Sequence, residues 1–361
     1  MSTLRIALVG TGMVAGNHIE AVRAEPDRAE LVAVCNIRKG TLDAFCVRWN
    51  ITAAKYTDVT AMLDAESPDL VIIATPPWTH LDLCVQCMEA GASVLCEKPL
   101  VGSLAELDVL EAAQQRTGQQ VSSIFHWRFG SGGQHMKALI DRDALGAPLV
   151  AICQTVWYRD ATYYAVPWRG KWHTEMGGAT VTLGIHAIDF LIWLMGGWEE
   201  VTALTASLDR DVEVDTVSMA VARFRNGAMG TFITSALSPR QTTSIRLDFQ
   251  QATAELEFLY HYTNQDWRFS LIDNAAFNPE LDSWLAMPHS KRAHQVAQLT
   301  ALLDAIENDA PQPVSLADVR PTLAFVSAIY RSARTGQTVR RGEITPGDDF
   351  YVSMHGIRPE D

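Results

Sequence analysis

The chain has 361 residues, more than one hydrophobic core usually serves, so two domains are expected. Lys and Arg total 29 against 42 Asp and Glu, a formal charge of -13. A phosphate backbone is repelled by that field, and with no local basic stripe to oppose it no nucleic-acid partner is expected.

Residues 1–125 alternate predicted strands and helices. The strands cover 4–9, 31–35, 69–74, 92–96 and 121–125, mostly continuous apolar runs, as expected where helices cover both faces of a parallel sheet. Segments between them, such as His18 to Ala24 and Leu104 to Ala113, carry helical periodicity. An α/β domain of the Rossmann kind, a doubly wound parallel sheet, is therefore predicted over 1–125. After Gly130-Ser131-Gly132-Gly133 the pattern changes. A helix near 134–142 leads to a strand at 149–157, an irregular aromatic stretch, and an almost wholly apolar helix from about 178 to 195 that ends at Gly196-Gly197. Strands follow at 200–208, 216–225, 228–236, 243–250 and 253–260. Asn226-Gly227 suits a two-residue type I′ turn, whose central residues both need positive φ. Helices near 291–307 and 315–335 end the pattern, the second opened by the capping-box-like Ser315-Leu316-Ala317-Asp318 and closed by Gly336. Residues 126–361 read as an α+β domain for substrate binding and oligomerisation, with a mainly antiparallel open sheet and helices on one face.

The longest wholly apolar run, Phe190 to Met195, is far too short to span a bilayer, so no membrane partner is expected. Cys35, Cys46, Cys84, Cys87, Cys96 and Cys153 fall mostly in apolar patterns, where a thiol behaves as a small buried hydrophobe. Cys84 and Cys87 form a CxxC without the second pair or exposed helix start that zinc or redox chemistry needs. Reduced thiols, and a first strand that begins at Leu4 with no signal peptide before it, predict a cytoplasmic protein.

Gly10-Thr11-Gly12-Met13-Val14-Ala15-Gly16 follows a buried strand and precedes a helix, the place for a dinucleotide cradle. Gly10 permits the tight turn, Gly12 lets the backbone approach a pyrophosphate, the small Ala15 permits close helix packing, and the helix N-terminus favours the phosphate. The plainer alternative is a strand-to-helix turn with no ligand. Where a carboxylate would accept the ribose hydroxyls of NAD, the chain reads Cys35-Asn36-Ile37-Arg38-Lys39. Asn36 repels no 2′-phosphate, and Arg38 and Lys39 carry charge that pairs with one, so the expected cofactor is NAD(P), leaning to NADP. The alternative makes Arg38 and Lys39 a solvated helix start, with Asn36 on the ribose of NAD.

Hydride transfer from a carbinol needs a base for the hydroxyl proton and a positive group beside the developing alkoxide. Lys98, in Glu97-Lys98-Pro99 at the carboxyl end of a parallel strand, lies at the edge where such sheets bind ligands, unless it is a surface lysine beside a turn proline. Glu97 pairs with it or contacts the nicotinamide ribose. His186 lies in an apolar helix pattern with Thr182 and Asp189 on its face, at i−4 and i+3; it is either a hydrogen-bonded core histidine or a base oriented by Asp189. The long irregular segment from Tyr158 to His173 carries Tyr164, Trp168 and Trp172, which suit stacking on sugar faces, and Arg159, Arg169 and Lys171, which suit a carboxylate or phosphate. Its alternative is an aromatic satellite core with solvated charges. His126, Trp127 and Arg128 reach a cleft or pack between domains. His173 and Glu175 form an HxE with no PCxxC after it, which rejects a zinc deaminase, and no metal site is expected.

These residues resemble the Gfo/Idh/MocA family of oxidoreductases over essentially the whole chain. The matching residues are Gly10 to Gly16, Ala74-Thr75-Pro76-Pro77 with Thr79-His80, and Ala90-Gly91 leading into Glu97-Lys98-Pro99, the most specific element. Gly177-Gly178, Gly184-Ile185-His186-Ala187-Ile188-Asp189 and Ser332-Ala333-Arg334-Thr335-Gly336 match as well. The resemblance implies a Rossmann domain followed by a mainly antiparallel sheet, the active site between them, and substrates that are sugars, cyclitols or their derivatives. Together with the residue chemistry it implies cofactor contacts from Gly10, Thr11, Gly12, Met13, Val14, Asn36, Arg38, Lys39, Thr75, Pro76, Pro77, His80, Glu97 and Lys98. Catalysis would fall to Lys98 and His186 with Thr182, and substrate contacts to these three with Arg128, Tyr164, Trp168, Arg169 and Trp172. One departure is Thr182, where the family often carries Asp; a threonine hydrogen-bonds a hydroxyl but supplies no negative charge.

The expected function is an NAD(P)-dependent dehydrogenase or reductase acting on a secondary alcohol or ketone of a sugar, cyclitol or related polyol. One alternative is a noncatalytic nucleotide-binding sensor, favoured by Thr182 and opposed by Lys98 and His186. Another is a redox-assisted glycosidase, which releases a free sugar with no net change in bound cofactor. Strands such as Met219 to Phe224 and Met229 to Ile233 alternate or run apolar, predicting a homodimer or homotetramer through the second domain's sheet.

Overall fold

The apolar runs of the first 125 residues become one parallel sheet in the computed structural model, which describes residues 3–272 and 290–357. Strands β1 Leu4–Val9, β2 Ala29–Cys35, β3 Ala54–Tyr56, β4 Leu70–Ile73, β5 Ser93–Cys96 and β6 Val121–Ser123 lie in the order β3-β2-β1-β4-β5-β6. Each neighbouring pair is parallel. Ile6, Leu8 and all of β4 are fully buried, which is why these strands read as unbroken apolar runs. The short edge strand β3, Ala-Lys-Tyr, has no such run and was not foreseen. Strand order reverses beside β1, which opens the ligand crevice of such sheets at the carboxyl ends of the strands.

The chain divides into two units, Met1–Ile124 with Gln295–Val319, and Phe125–His294 with Arg320–Asp361. This differs from a single boundary at 125, because the helix Gln295–Glu307 returns to the first unit. Its Leu299, Leu302 and Leu303 join Ile19 and Val22 of the helix Ala15–Arg23 in one core cluster. Arg28 is held by Asp304 and Glu307, both at 2.7 Å, and Gln298 donates to the Ser123 carbonyl at 2.6 Å. Periodicity reveals that helix's apolar stripe, but not which sheet receives it.

The second unit has the expected α+β character. Its strands are β7 Pro148–Tyr158, β8 Trp198–Ala206, β9 Val217–Phe224, β10 Met229–Ser235, β11 Leu237–Phe249, β12 Ala252–Phe258, β13 Trp267–Leu271 and β14 Val339–Arg340. They form one sheet, β13-β12-β11-β7-β10-β9-β8-β14, in which β7 and β10 run parallel and the other pairs antiparallel. Along β9 burial alternates, Ala220, Ala222 and Phe224 inward against Met219, Val221 and Arg223 outward, so one face is covered and the other open.

Two local expectations fail for physical reasons. At Asn226-Gly227 only Gly227 has positive φ, +91°, so the turn is not type I′. Gly227 N–H bonds to the Phe224 carbonyl at 2.9 Å and Phe224 N–H to the Ala228 carbonyl at 2.8 Å, a wider three-residue loop. The apolar helix expected from 178 to 195 is broken into Ala179–Thr182 and Ile185–Met195. The break falls at Gly184, where a Cβ would sit 2.2 Å from the Thr234 side chain. Ser315 and Asp318 do cap the helix Leu316–Thr335 reciprocally, and Gly336 ends it with φ of +69°.

Candidate active site

The turn after β1 is built on glycine. Gly10 has φ of +98°, and a Cβ there would lie 2.4 Å from the Ala74 carbonyl oxygen of the neighbouring strand end. Around the Cβ direction of Gly12 nothing lies within 4 Å, so its backbone is open to a pyrophosphate. Val14 supplies no side-chain cap to the helix Ala15–Arg23, whose Ala15 N–H reaches the Gly12 carbonyl at 3.2 Å and Asn17 N–H the Val14 carbonyl at 3.0 Å, while the positive end of the helix still favours an anion. These features fit a dinucleotide. The close packing assigned to Ala15 rests on Gly16 as well, where a Cβ would meet the Trp49 ring at 2.2 Å.

Asn36 Nδ2 donates to Thr11 Oγ1 at 2.5 Å while its Oδ1 accepts the Arg38 N–H at 2.9 Å, tying the end of β2 to the glycine turn. Lys39 is engaged elsewhere. Its ammonium binds Asp43 at 3.0 Å, and with Lys55 on the other oxygen it holds that carboxyl below its usual range. Arg38, the other cation, is exposed and has its backbone N–H anchored on Asn36.

Glu97 is buried at the end of β5, where it feels the charge of Lys98 and also takes a partner that the sequence did not announce. Oε1 meets His18 Nε2 at 2.9 Å, and Oε2 accepts the Lys98 backbone N–H at 3.3 Å. Burial raises the Glu97 carboxyl, but the His18 hydrogen bond and charge outweigh it and leave it below its usual value. His18 thereby links the glycine helix to the strand that carries Lys98. Sequence reasoning missed it; its one signal was a histidine on the buried face two residues past Gly16. Lys98 is half-buried and precedes a cis proline, Pro99.

His80 needs a correction. Its two ring nitrogens face backbone carbonyls, Nδ1 that of Pro99 at 2.8 Å and Nε2 that of Thr75 at 2.9 Å, and the neutral ring donates to one of them, so the imidazole is turned to its own loop. Its burial lowers the ring's pKa against the pull of those carbonyls. His80 instead fixes the loop Thr75-Pro76-Pro77, where Thr75 and Thr79 hydroxyls also meet at 2.7 Å.

In the second unit His186 is the second residue of the helix Ile185–Met195 and is 2 % exposed. Because the chain breaks at Gly184, Thr182 does not share its helical face; the Thr182 hydroxyl donates to the Gly178 carbonyl at 2.9 Å. Asp189 does share that helix. Its carboxylate takes Arg128 Nε at 2.8 Å and Nη2 at 2.5 Å, and the Thr322 hydroxyl at 2.9 Å. Arg128, expected at a ligand cleft, is thus buried as the partner of Asp189, since a buried guanidinium needs a paired anion. Asp215, which no motif announced, clamps the Gly177-Gly178 turn. It accepts from Gly178 N and Thr180 N, both at 2.9 Å, and from Tyr330 OH at 2.7 Å. A Cβ at Gly178 would lie 1.8 Å from the Asp215 carbonyl oxygen.

The aromatic segment is largely self-supporting. The Arg169 guanidinium lies 3.8 Å from the Tyr163 ring centroid and 4.2 Å from that of Trp168, and its Nη1 binds the buried Glu175 at 2.8 Å. Burial raises the Glu175 carboxyl even so. Arg169, expected to hold a substrate anion, is therefore committed to Glu175. Trp172 packs edge-on against Tyr330 at 5.1 Å, and the half-buried Tyr164 against Tyr163 at 5.0 Å. Trp168 and Trp172 are half-buried, each packed on one side within the second unit. Among the described residues no group of three or more His, Cys, Asp or Glu is arranged to hold a metal ion.

Two family models match the chain. The first, described as an oxidoreductase family with an NAD-binding Rossmann fold, covers residues 4–125, and the second, a GFO/IDH/MocA C-terminal domain, covers 134–255. The chain is 26 % identical over 342 residues to D-apiose dehydrogenase of Paraburkholderia graminis, covering 92 % of this chain and 88 % of that one. It is 25 % identical to D-glucoside 3-dehydrogenase of Escherichia coli, with 94 % and 97 % covered. Among solved structures it is similar to the WlbA dehydrogenase of Bordetella pertussis in complex with NADH and UDP-GlcNAcA. That likeness has a TM-score of 0.83 and 27 % identity, over 94 % of this chain and 99 % of the other. The first model falls on the parallel sheet and its glycine turn, the second on the mixed sheet, and the chain belongs to the Gfo/Idh/MocA family of oxidoreductases.

Proposed function

We propose that this chain is an NAD(P)-dependent oxidoreductase that moves a hydride between the nicotinamide and a secondary alcohol or ketone of a sugar, cyclitol or related polyol. The observation that carries this reading is the shared edge of Lys98 and the glycine turn. They follow β5 and β1 of one parallel sheet, with only β4 between. Relatives that act on apiose and glucosides support the substrate class. When bound, the cofactor supplies the hydride acceptor or donor. Gly10, Thr11, Gly12, Met13 and Val14 hold its pyrophosphate, Asn36 and Arg38 its adenosine ribose, and the fixed loop Thr75-Pro76-Pro77 lines the same crevice. The Lys98 ammonium stabilises the developing alkoxide, His186 exchanges the hydroxyl proton, and Thr182 and Tyr164 position the substrate. The test is nicotinamide absorbance against a panel of sugars, cyclitols and sugar acids with each cofactor. Turnover of at least one polyol is expected. Silence with nucleotide tightly bound would favour the sensor, and free sugar released without net absorbance change the glycosidase.

We infer a preference for NADP from Arg38. Losing one charge-assisted contact costs about 1.5–3 kcal/mol, so Arg38→Ala is expected to weaken NADP by about 10- to 100-fold while NAD changes little. Equal losses for the two in a fluorescence titration would sink the assignment.

A second copy of the chain is proposed to cover the open face of the second sheet, giving a homodimer or homotetramer. Leu204, Met219, Val221 and Met229 are 74, 53, 53 and 56 % exposed. Register places Leu204 opposite Met219, and Thr231 between Val221 and Ile152, so they form one patch. Met219→Glu with Val221→Glu should yield monomers by light scattering; an unchanged mass argues for another interface. No single helix among the described residues is long and apolar enough to cross a membrane. Six buried free cysteines support a cytoplasmic location, which cell fractionation checks.

A further inference from the structure

In the first unit a buried histidine and a buried carboxylate meet one residue before Lys98. The His18 and Glu97 side chains are 1 % and 7 % exposed, and His18 Nε2 lies 2.9 Å from Glu97 Oε1. A carboxylate only accepts, so Nε2 carries the proton and donates it to the bond. The other ring nitrogen, Nδ1, is buried and has no hydrogen-bond partner among the described residues. A leucine in that place would fill the core with no nitrogen left unmet, so packing alone does not account for the imidazole. The one hydrogen bond of the His18 ring among the described residues goes to Glu97.

Burial works against a charge on Glu97. It is opposed by His18, by the charge of Lys98 and by the Lys98 backbone N–H, which donates to Oε2 at 3.3 Å. The attraction between carboxylate and ammonium is mutual, so an ionised Glu97 also favours the charged form of Lys98. We propose that His18 is a positioning residue for Lys98. By donating to Glu97 it keeps that carboxylate ionised, and the carboxylate in turn fixes the Lys98 backbone and sustains the ammonium that faces the alkoxide. This inference rests on the proposed role of Lys98. The other titratable groups that face Glu97 are His80, from the helix His80–Glu89, and Cys96 on its own strand. Burial lowers His80 and raises the Cys96 thiol, so both stay neutral and neither replaces His18. With His18 removed, burial is opposed only by Lys98 and its N–H; the Glu97 carboxyl rises, and its ionised form is lost first at the acid end of the pH range.

The test compares His18→Leu, His18→Gln, whose amide nitrogen falls near the place of Nε2, and Glu97→Gln, which keeps the shape without the charge. Each is read as holoenzyme in two ways, by carboxyl-carbon NMR titration of Glu97 and by the pH profile of kcat on the panel polyol with the highest turnover. In His18→Leu the Glu97 titration should move to higher pH, and kcat should fall by about tenfold or more at the acid end and recover toward alkaline pH, at unchanged KM. His18→Gln should follow the wild type in both readouts, and Glu97→Gln should be slow at every pH. An unmoved Glu97 titration in His18→Leu, or a loss of kcat that is the same at every pH, overturns the inference and leaves His18 a packing residue. If His18→Leu does not fold, Glu97→Gln decides, and wild-type kcat there overturns it. Lys98→Met separates this inference from the reading beneath it. If that variant turns over like the wild type, the lysine assignment fails and the inference with it; if it is slow while His18→Leu is normal at every pH, the inference alone is wrong. Should the wild type be silent across the panel, the oxidoreductase reading fails, and the titration decides whether His18 holds Glu97 ionised.

Discussion

Replacing Lys98 with methionine is expected to lower kcat/KM by about 10²–10³-fold, the size of effect that removal of one preorganised oxyanion-stabilising group produces. Methionine keeps the length and apolar character of the stem, so the change isolates the charge. The Lys98 charge also helps to hold the buried Glu97 carboxyl below its usual value, an effect the variant removes. The Lys98 backbone N–H is held by Glu97, and Glu97 by His18. Cofactor affinity should stay within about threefold, because the residues proposed to hold pyrophosphate and ribose are untouched; a threefold change is well under 1.4 kcal/mol. Stopped-flow hydride transfer and a nucleotide titration on the same variant check both halves. Wild-type turnover in Lys98→Met would remove lysine from the mechanism, whereas lost nucleotide binding would make it a cofactor residue first.

Asp189→Ala is expected to destabilise the protein by about 3–5 kcal/mol, because it strands a buried guanidinium with no anion. The Arg128 and Asp189 side chains are 8 % and 1 % exposed, and their two hydrogen bonds are parallel and short. The variant also removes the acceptor of the Thr322 hydroxyl. The double change Arg128→Met with Asp189→Leu removes both charges and should recover most of the loss. Urea unfolding of the three proteins reads this directly. A loss below about 1 kcal/mol in Asp189→Ala would mean the pair is solvated in solution and behaves like a surface ion pair.

Much of the first unit was legible in the sequence. Its buried strands are apolar runs, its glycine turn follows one of them directly, and Glu97-Lys98-Pro99 ends another. Each signal acts over a few residues, through the spacing of apolar side chains or the φ that only glycine adopts without strain. The capped helix beginning at Leu316 was legible for the same reason. The broken helix before His186 was not, because Gly184 is required by Thr234 on a strand fifty residues away. Nor was the sheet that receives Gln295–Glu307, since an apolar stripe does not name its partner.

The same limit governs the site. The motifs in the sequence, through the family they resemble, pointed to a hydride-transferring oxidoreductase and to which lysine and histidine to test. Only the tertiary structure decided the partners of buried polar groups. Arg128 went to Asp189, 61 residues away, Glu97 to His18, 79 residues away, and His126 came to lie against His186 and His261. A charge or imidazole removed from water must find its counterpart wherever the fold brings one, and local spacing carries no record of that choice.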